Sequence, residues 1–167
     1  MKFKFNVIAF FFISAMGTLS HFVYDWSNKN TVLGYFFPVN ESNWEHLKLI
    51  FFPTVIFSLI EYCFVKKEIK NYLFAFSVSV IIGILSIPVL FGTYTGILGY
   101  SVDFVNIAIY FISVIIMLFC KNKIIESEKF DGEFYKIASA VIIFGITILF
   151  IVFTYNPPEI ALFVSPE

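Results

Sequence analysis

The sequence predicts an all-α protein, an integral membrane bundle of five transmembrane helices forming one domain over residues 1–167. Three observations lead there. Five runs of about 20 mostly apolar residues recur along the chain, each long enough to cross ~30 Å of hydrocarbon at ~1.5 Å per residue. Hydrophobic residues make up 59% of the chain and aromatic residues 21%, more than an ordinary soluble domain carries. The lysines, which are the only basic residues besides the histidines, also divide unevenly among the loops.

The first span covers about 5–24, preceded by Lys2 and Lys4. Ala15-Met16-Gly17 offers small residues where a signal peptide is cut, but the apolar run continues past them through Leu19, Phe22 and Val23, so a retained span is expected. The second span covers about 43–65, the third 71–91, the fourth 102–119 and the fifth 134–154. Lys2, Lys4, Lys66, Lys67, Lys70, Lys121, Lys123, Lys129 and Lys136 fall on one side, and only Lys29 and Lys48 on the other. This bias places the N-terminus in the cytoplasm and the C-terminus outside, in a multi-pass protein of the cytoplasmic membrane. Cys63 and Cys120 then lie on the reducing side and are expected as free thiols. Trp26 and Trp44 are expected at the outer headgroups. The apolar stretch 32–39, outside the spans, should lie along the interface or dip back against the bundle. Gly92, Gly96 and Gly99 read as an outer loop over 92–101. A net charge of −1 gives no field for nucleic acid, and none is expected as a partner.

Polar residues gather at the outer rim. His21 and His46, the two histidines of the chain, sit about one turn inside the outer ends of spans one and two. Asp25 follows His21 by four residues, a spacing that allows a carboxylate–imidazole hydrogen bond. Asn40, Glu41 and Glu45 crowd the entry to span two, and Asp103 and Asn106 begin span four. These eight residues, His21, Asp25, Asn40, Glu41, Glu45, His46, Asp103 and Asn106, form the candidate polar site, with His21, His46 and Asp103 as candidate metal ligands. Simpler accounts compete for several of them. Ser42-Asn43-Trp44-Glu45 has the spacing of a capping box, Asp103 suits a helix N-terminus, and Lys48 can pair with Glu45 or reach the headgroups. Ionisable groups within spans usually face the bundle interior or a cavity, which keeps the histidines of interest. No local metal motif such as His-Glu-x-x-His is present, nor a phosphate-cradling glycine loop, and no cofactor is expected.

Two faces match each other. Asp103, Asn106, Tyr110 and Ser113 form a polar stripe on span four, and Ser14, Gly17, Thr18, His21 and Asp25 one on span one. Such stripes signal close helix packing, or a short cleft between the two spans opening outward. Pro53 and Pro88 each free a backbone carbonyl within their spans. At the inner side, Glu61 is expected to reach the interface and pair with Lys66 or Lys67.

The blocks Ser20-His21-Phe22-Val23-Tyr24-Asp25-Trp26-Ser27, Pro38-Val39-Asn40-Glu41-Ser42-Asn43-Trp44-Glu45-His46-Leu47-Lys48-Leu49, Tyr94-Thr95-Gly96-Ile97-Leu98-Gly99 and Thr154-Tyr155-Asn156-Pro157-Pro158 resemble a family of small bacterial membrane proteins of unknown function, DUF6512. The resemblance spans nearly the whole chain and implies a multi-span membrane protein without adding an activity. Three functions therefore stay open. The first is binding or transport of a small polar solute or cation, with His21 and Asp25 as a titratable pair and Asp103 and Asn106 lining the cleft. The second is a metal-assisted enzyme acting on a lipid or envelope precursor, with His21 and His46 as ligands and Glu41 or Glu45 as acid–base group. The third is an accessory subunit docking another membrane protein. The lipid bilayer is the partner common to all three.

Overall fold

The computed structural model describes residues 2–165. It comprises α1 (Lys2–Trp26), a single-turn α2 (Thr31–Gly34), α3 (Asn43–Val65), α4 (Tyr72–Leu98), α5 (Asp103–Glu126), α6 (Glu133–Tyr155) and a terminal 3₁₀ turn (Ala161–Phe163). Five of these helices are long and apolar enough to cross a membrane, with α1 qualifying from Phe5 onward. Among the described residues there is no strand.

Two helices outrun their expected spans. The third span continues seven residues beyond Phe91, so Gly92 and Gly96 are helical rather than part of a loop. In lipid the backbone has no water to turn to, and intrahelical hydrogen bonds persist through residues that would fray a soluble helix. Gly99 ends α4 instead, in the left-handed region at φ +79°, with its N–H donating to the Thr95 carbonyl at 2.7 Å. Similarly, α5 runs past Phe119 through Lys121 and Lys123 to Glu126.

Helices α1, α3, α4 and α5 close into a ring in which each packs against the next, and α6 lies outside it against α4 and α3. The ring interior holds Ile13, Ile50, Phe51, Val80, Val114 and Met117. Its outer surface carries large apolar side chains such as Ile97 and Phe104, each 79% exposed, which only a hydrocarbon solvent tolerates in such number.

A single contact fixes how α1, α3 and α5 approach. Pro53 has no N–H to give the Leu49 carbonyl one turn earlier, so that carbonyl needs a donor from elsewhere. The Tyr110 hydroxyl of α5 lies 3.3 Å from the Leu49 oxygen and donates to the Ile13 oxygen of α1 at 2.9 Å. Gly17 leaves room for this: a Cβ there would overlap the Tyr110 hydroxyl and come within 2.5 Å of the Leu49 carbonyl. The polar stripes of spans one and four thus meet.

The segment between α1 and α3 dips back into the bundle. Tyr35 packs edge-on against Tyr155, Phe36 against Phe52, and the Tyr155 hydroxyl donates to the Thr31 carbonyl. Lys48 locks it in place. This side chain does not reach toward headgroups; it is buried, and its ammonium donates to Glu45 Oε2 at 2.7 Å, Thr154 Oγ1 at 2.7 Å and the Gly34 carbonyl at 2.9 Å. Trp44 packs on Phe150, Phe153 and Phe163, the last in the 3₁₀ turn.

At the opposite, lysine-rich end, Glu61 is also buried, and its partner is neither Lys66 nor Lys67. Its Oε2 accepts from Lys121 at 2.7 Å and from the Tyr72 hydroxyl at 2.7 Å. The continuation of α5 past Phe119 keeps Lys121 on the helix, with its side chain buried against Glu61 of α3. Cys63 and Cys120 are free thiols.

Candidate functional site

Three of the rim residues converge. His21 comes from the last turns of α1, Glu41 from the segment entering α3, and His46 from the first turn of α3. Their nearest atoms form an almost equilateral triangle. His21 Nε2 and His46 Nε2 are 3.2 Å apart, His46 Nε2 and Glu41 Oε2 3.3 Å, and His21 Nε2 and Glu41 Oε2 3.5 Å.

Local hydrogen bonds hold this triangle. Ser42 caps α3, its hydroxyl accepting from the Glu45 N–H at 3.3 Å. Asn40 Oδ1 accepts from the Ser42 N–H at 2.9 Å, a tight side-chain turn that sets the position of Glu41 between them. His46 Nδ1 lies 3.1 Å from the Ser42 carbonyl. A carbonyl only accepts, so this nitrogen carries the proton, and in the neutral ring Nε2 is then the atom whose lone pair faces the triangle.

The eight expected site residues therefore separate. His21, Glu41 and His46 form the cluster, and Glu41 rather than Asp103 supplies its carboxylate. Asn106 lines the adjoining cavity, accepting from the Tyr94 hydroxyl and donating to Ser101 Oγ at 2.9 Å. Asn40 serves the turn. Glu45 completes only half of the expected capping box: its carboxylate turns to Lys48 and to the Val39 N–H at 2.9 Å, not back to Ser42. Asp25 and Asp103 are exposed and outside the cluster. The anticipated His21–Asp25 hydrogen bond is replaced by His21–His46, because α3 brings a second imidazole against the inward face of α1 while Asp25 points out.

A cavity of about 360 Å³ opens beside the cluster, lined by residues of all four ring helices. His21, Glu41 and His46 line its polar end, and no other charged side chain does. Its walls are chiefly Phe22, Leu49, Ile87, Phe91 and Ile109, and its floor carries Tyr110. A second cavity, about 640 Å³, lies at the other end of the bundle beside Glu61, Asn71 and Asp131.

The Lys48–Glu45 pair is the one its three-residue spacing allowed, but its burial and the Glu61–Lys121 pair at the other end escaped the sequence reading. Position is the usable signal for both. Lys48 stands within an apolar span, six residues in, and Lys121 continues the α5 stripe Asn106, Tyr110, Ser113, Met117 at helical spacing.

Fold and site together define an all-α membrane bundle with a His₂Glu cluster at one rim, set over a mostly apolar cavity. The sequence profile of the family of unknown function DUF6512 matches residues 1–166. The chain belongs to this family. Neither the curated proteins nor the solved structures contain a match.

Proposed function

We propose that this protein binds a divalent transition metal of the zinc class through His21, His46 and Glu41. The single observation that carries the reading is the spacing of the three donor atoms, 3.2, 3.3 and 3.5 Å. Zinc bonds of ~2.0–2.1 Å in tetrahedral geometry put neighbouring donors about 3.3–3.4 Å apart. A carboxylate held by an imidazolium alone would approach to about 2.7–2.9 Å, so these separations suit a shared ion better than direct pairing. The Ser42 carbonyl on His46 Nδ1 supports the same reading, since it orients the ring as the outer partner of a metal-bound imidazole does. In this reading the cation site of the rim is built on Glu41, with Asp25 and Asp103 outside it.

The nine-to-two division of lysines supports a cytoplasmic N-terminus and, with it, a metal site at the outer side of the cytoplasmic membrane. A metal-assisted enzyme is the second reading, favoured by one further observation. Three protein ligands leave a fourth position free, as catalytic zinc sites do, and all three line a cavity able to admit a substrate. Glu41 is then a ligand, and Glu45, neutralised by Lys48, is not the acid–base group.

The test is metal content after zinc loading and desalting of protein in lipid nanodiscs. One equivalent is expected for the wild type, Asp25→Asn and Asp103→Asn, and well under 0.2 for His46→Ala and Glu41→Gln, on the order expected for loss of one of three ligands. A wild type that retains no zinc, or an Asp103→Asn variant that loses it, overturns the reading.

A further inference from the structure

The cavity beneath the cluster is unlike a site for a free ion or a polar solute. Below its rim it is walled by Phe22, Leu49, Ile87, Phe91 and Ile109, and its deepest polar group, the Tyr110 hydroxyl, is already committed to the Ile13 and Leu49 carbonyls. A polar solute would lose its hydration there and gain no hydrogen bonds in return. At about 360 Å³ the space is at the small end of the range for ligand pockets, enough for one alkyl chain and too little for two.

Phe22 of α1 and Ile107 of α5 both line the cavity, and they are 46% and 58% exposed. They lie on either side of the seam between α1 and α5, which is the least extensive contact of the four-helix ring. Apart from the Thr18 and Tyr110 hydroxyls, both donating to backbone carbonyls, polar groups gather at one end: the His₂Glu cluster, with the carboxamides of Asn43 and Asn106 beside it.

Resting on the metal reading above, we infer that the cavity takes a single-chain amphiphile with a phosphate monoester headgroup, entering from the bilayer between α1 and α5. The chain fills the apolar part. One phosphate oxygen takes the open position on the metal, and the others face Asn43 and Asn106. Two neutral imidazoles and one carboxylate leave a divalent ion with a net positive charge, which is the complement of that headgroup. Lateral entry accounts for a cavity that is polar at one end and otherwise walled in phenylalanine, leucine and isoleucine.

Cobalt substituted for zinc in nanodiscs of zwitterionic lipid gives a visible spectrum that reports the ligands of the ion. Titration with dodecyl phosphate should shift the cobalt bands, and ethyl phosphate should do so only at concentrations at least tenfold higher. Because dodecyl phosphate also concentrates in the bilayer, the deciding variant is Ile107→Trp, which fills the chain path and touches no ligand. It should leave the cobalt spectrum and the ethyl phosphate response unchanged and weaken dodecyl phosphate tenfold or more. Absence of any cobalt bands would sink the metal reading itself. Normal cobalt bands with no response to dodecyl phosphate, an Ile107→Trp variant that responds like wild type, or dodecanoate acting as well as dodecyl phosphate would each overturn this inference and leave the metal site standing.

Discussion

Replacing Lys48 by methionine keeps the length and apolar stem of the side chain while removing its charge and its donors. In the native protein the ammonium is fully enclosed and touches Glu45, Thr154 and the Gly34 carbonyl, so it joins α3, α6 and the dipped segment at one point. Its loss strands the Glu45 carboxylate, 2% exposed, with the Val39 N–H as its remaining donor. Breaking a buried ion pair from one side costs about 3–5 kcal/mol, because the surviving charge is neither solvated nor paired. For a chain of this size each kcal/mol corresponds to ~2–4 °C in midpoint, so a fall of roughly 10 °C is expected. Thermal unfolding in a fixed detergent, followed by tryptophan fluorescence, measures it well, since Trp44 packs on the same end of the bundle. The double variant Glu45→Gln with Lys48→Met removes the stranded charge and should recover more than half of the loss. A Lys48→Met midpoint within about 2 °C of wild type, or a double variant no better than the single one, refutes the account of the buried pair.

Two further predictions concern the ring. Tyr110→Phe removes a hydroxyl bonded to the Ile13 and Leu49 carbonyls, and because Pro53 offers Leu49 no N–H it leaves that carbonyl without a donor; it should cost ~1–3 kcal/mol, read as a lower midpoint in the same assay, and an unchanged midpoint would show that neither bond stabilises the α1–α3–α5 junction. At the lysine-rich end Lys121→Met should destabilise by about 3–5 kcal/mol, whereas Lys66→Met and Lys67→Met, both exposed, should stay within ~0.5 kcal/mol of wild type, and the reverse order would return Glu61 to an interfacial partner.

The metal and amphiphile readings share one mechanical premise. A rim cluster on α1 and α3 is only as rigid as the seam between those helices, and Gly17 against the Leu49 carbonyl sets that seam. The same proline that frees the Leu49 carbonyl brings Tyr110 across from α5, so the floor of the cavity and the spacing of the histidines derive from one packing arrangement.

What the chain determined without its fold was the solvent and the repertoire. Runs of apolar residues, and the loops between them, answer to the bilayer alone, so five spans could be read from length and hydropathy, and the matching small-residue and hydroxyl faces of spans one and four from helical period. Span ends were less legible, because Gly92 and Gly96 weaken a helix in water more than in hydrocarbon, and because α5 stays helical through Lys121 and Lys123 after its apolar run has ended. Within the rim, residue type told which groups had chemistry but not which would meet. His21 and Asp25 share a turn, yet the partner of His21 is His46, 25 positions away, because contact between helices depends on their rotation and crossing, which no local spacing encodes. Local spacing allowed the Lys48–Glu45 pair, but its burial came only when α3 met the dipped segment, and the Lys121–Glu61 pair only when α5 met α3. Tertiary structure alone decided that Glu41, not Asp103, stands with the two imidazoles, since the choice rests on a few ångströms of backbone placement around the Asn40 turn.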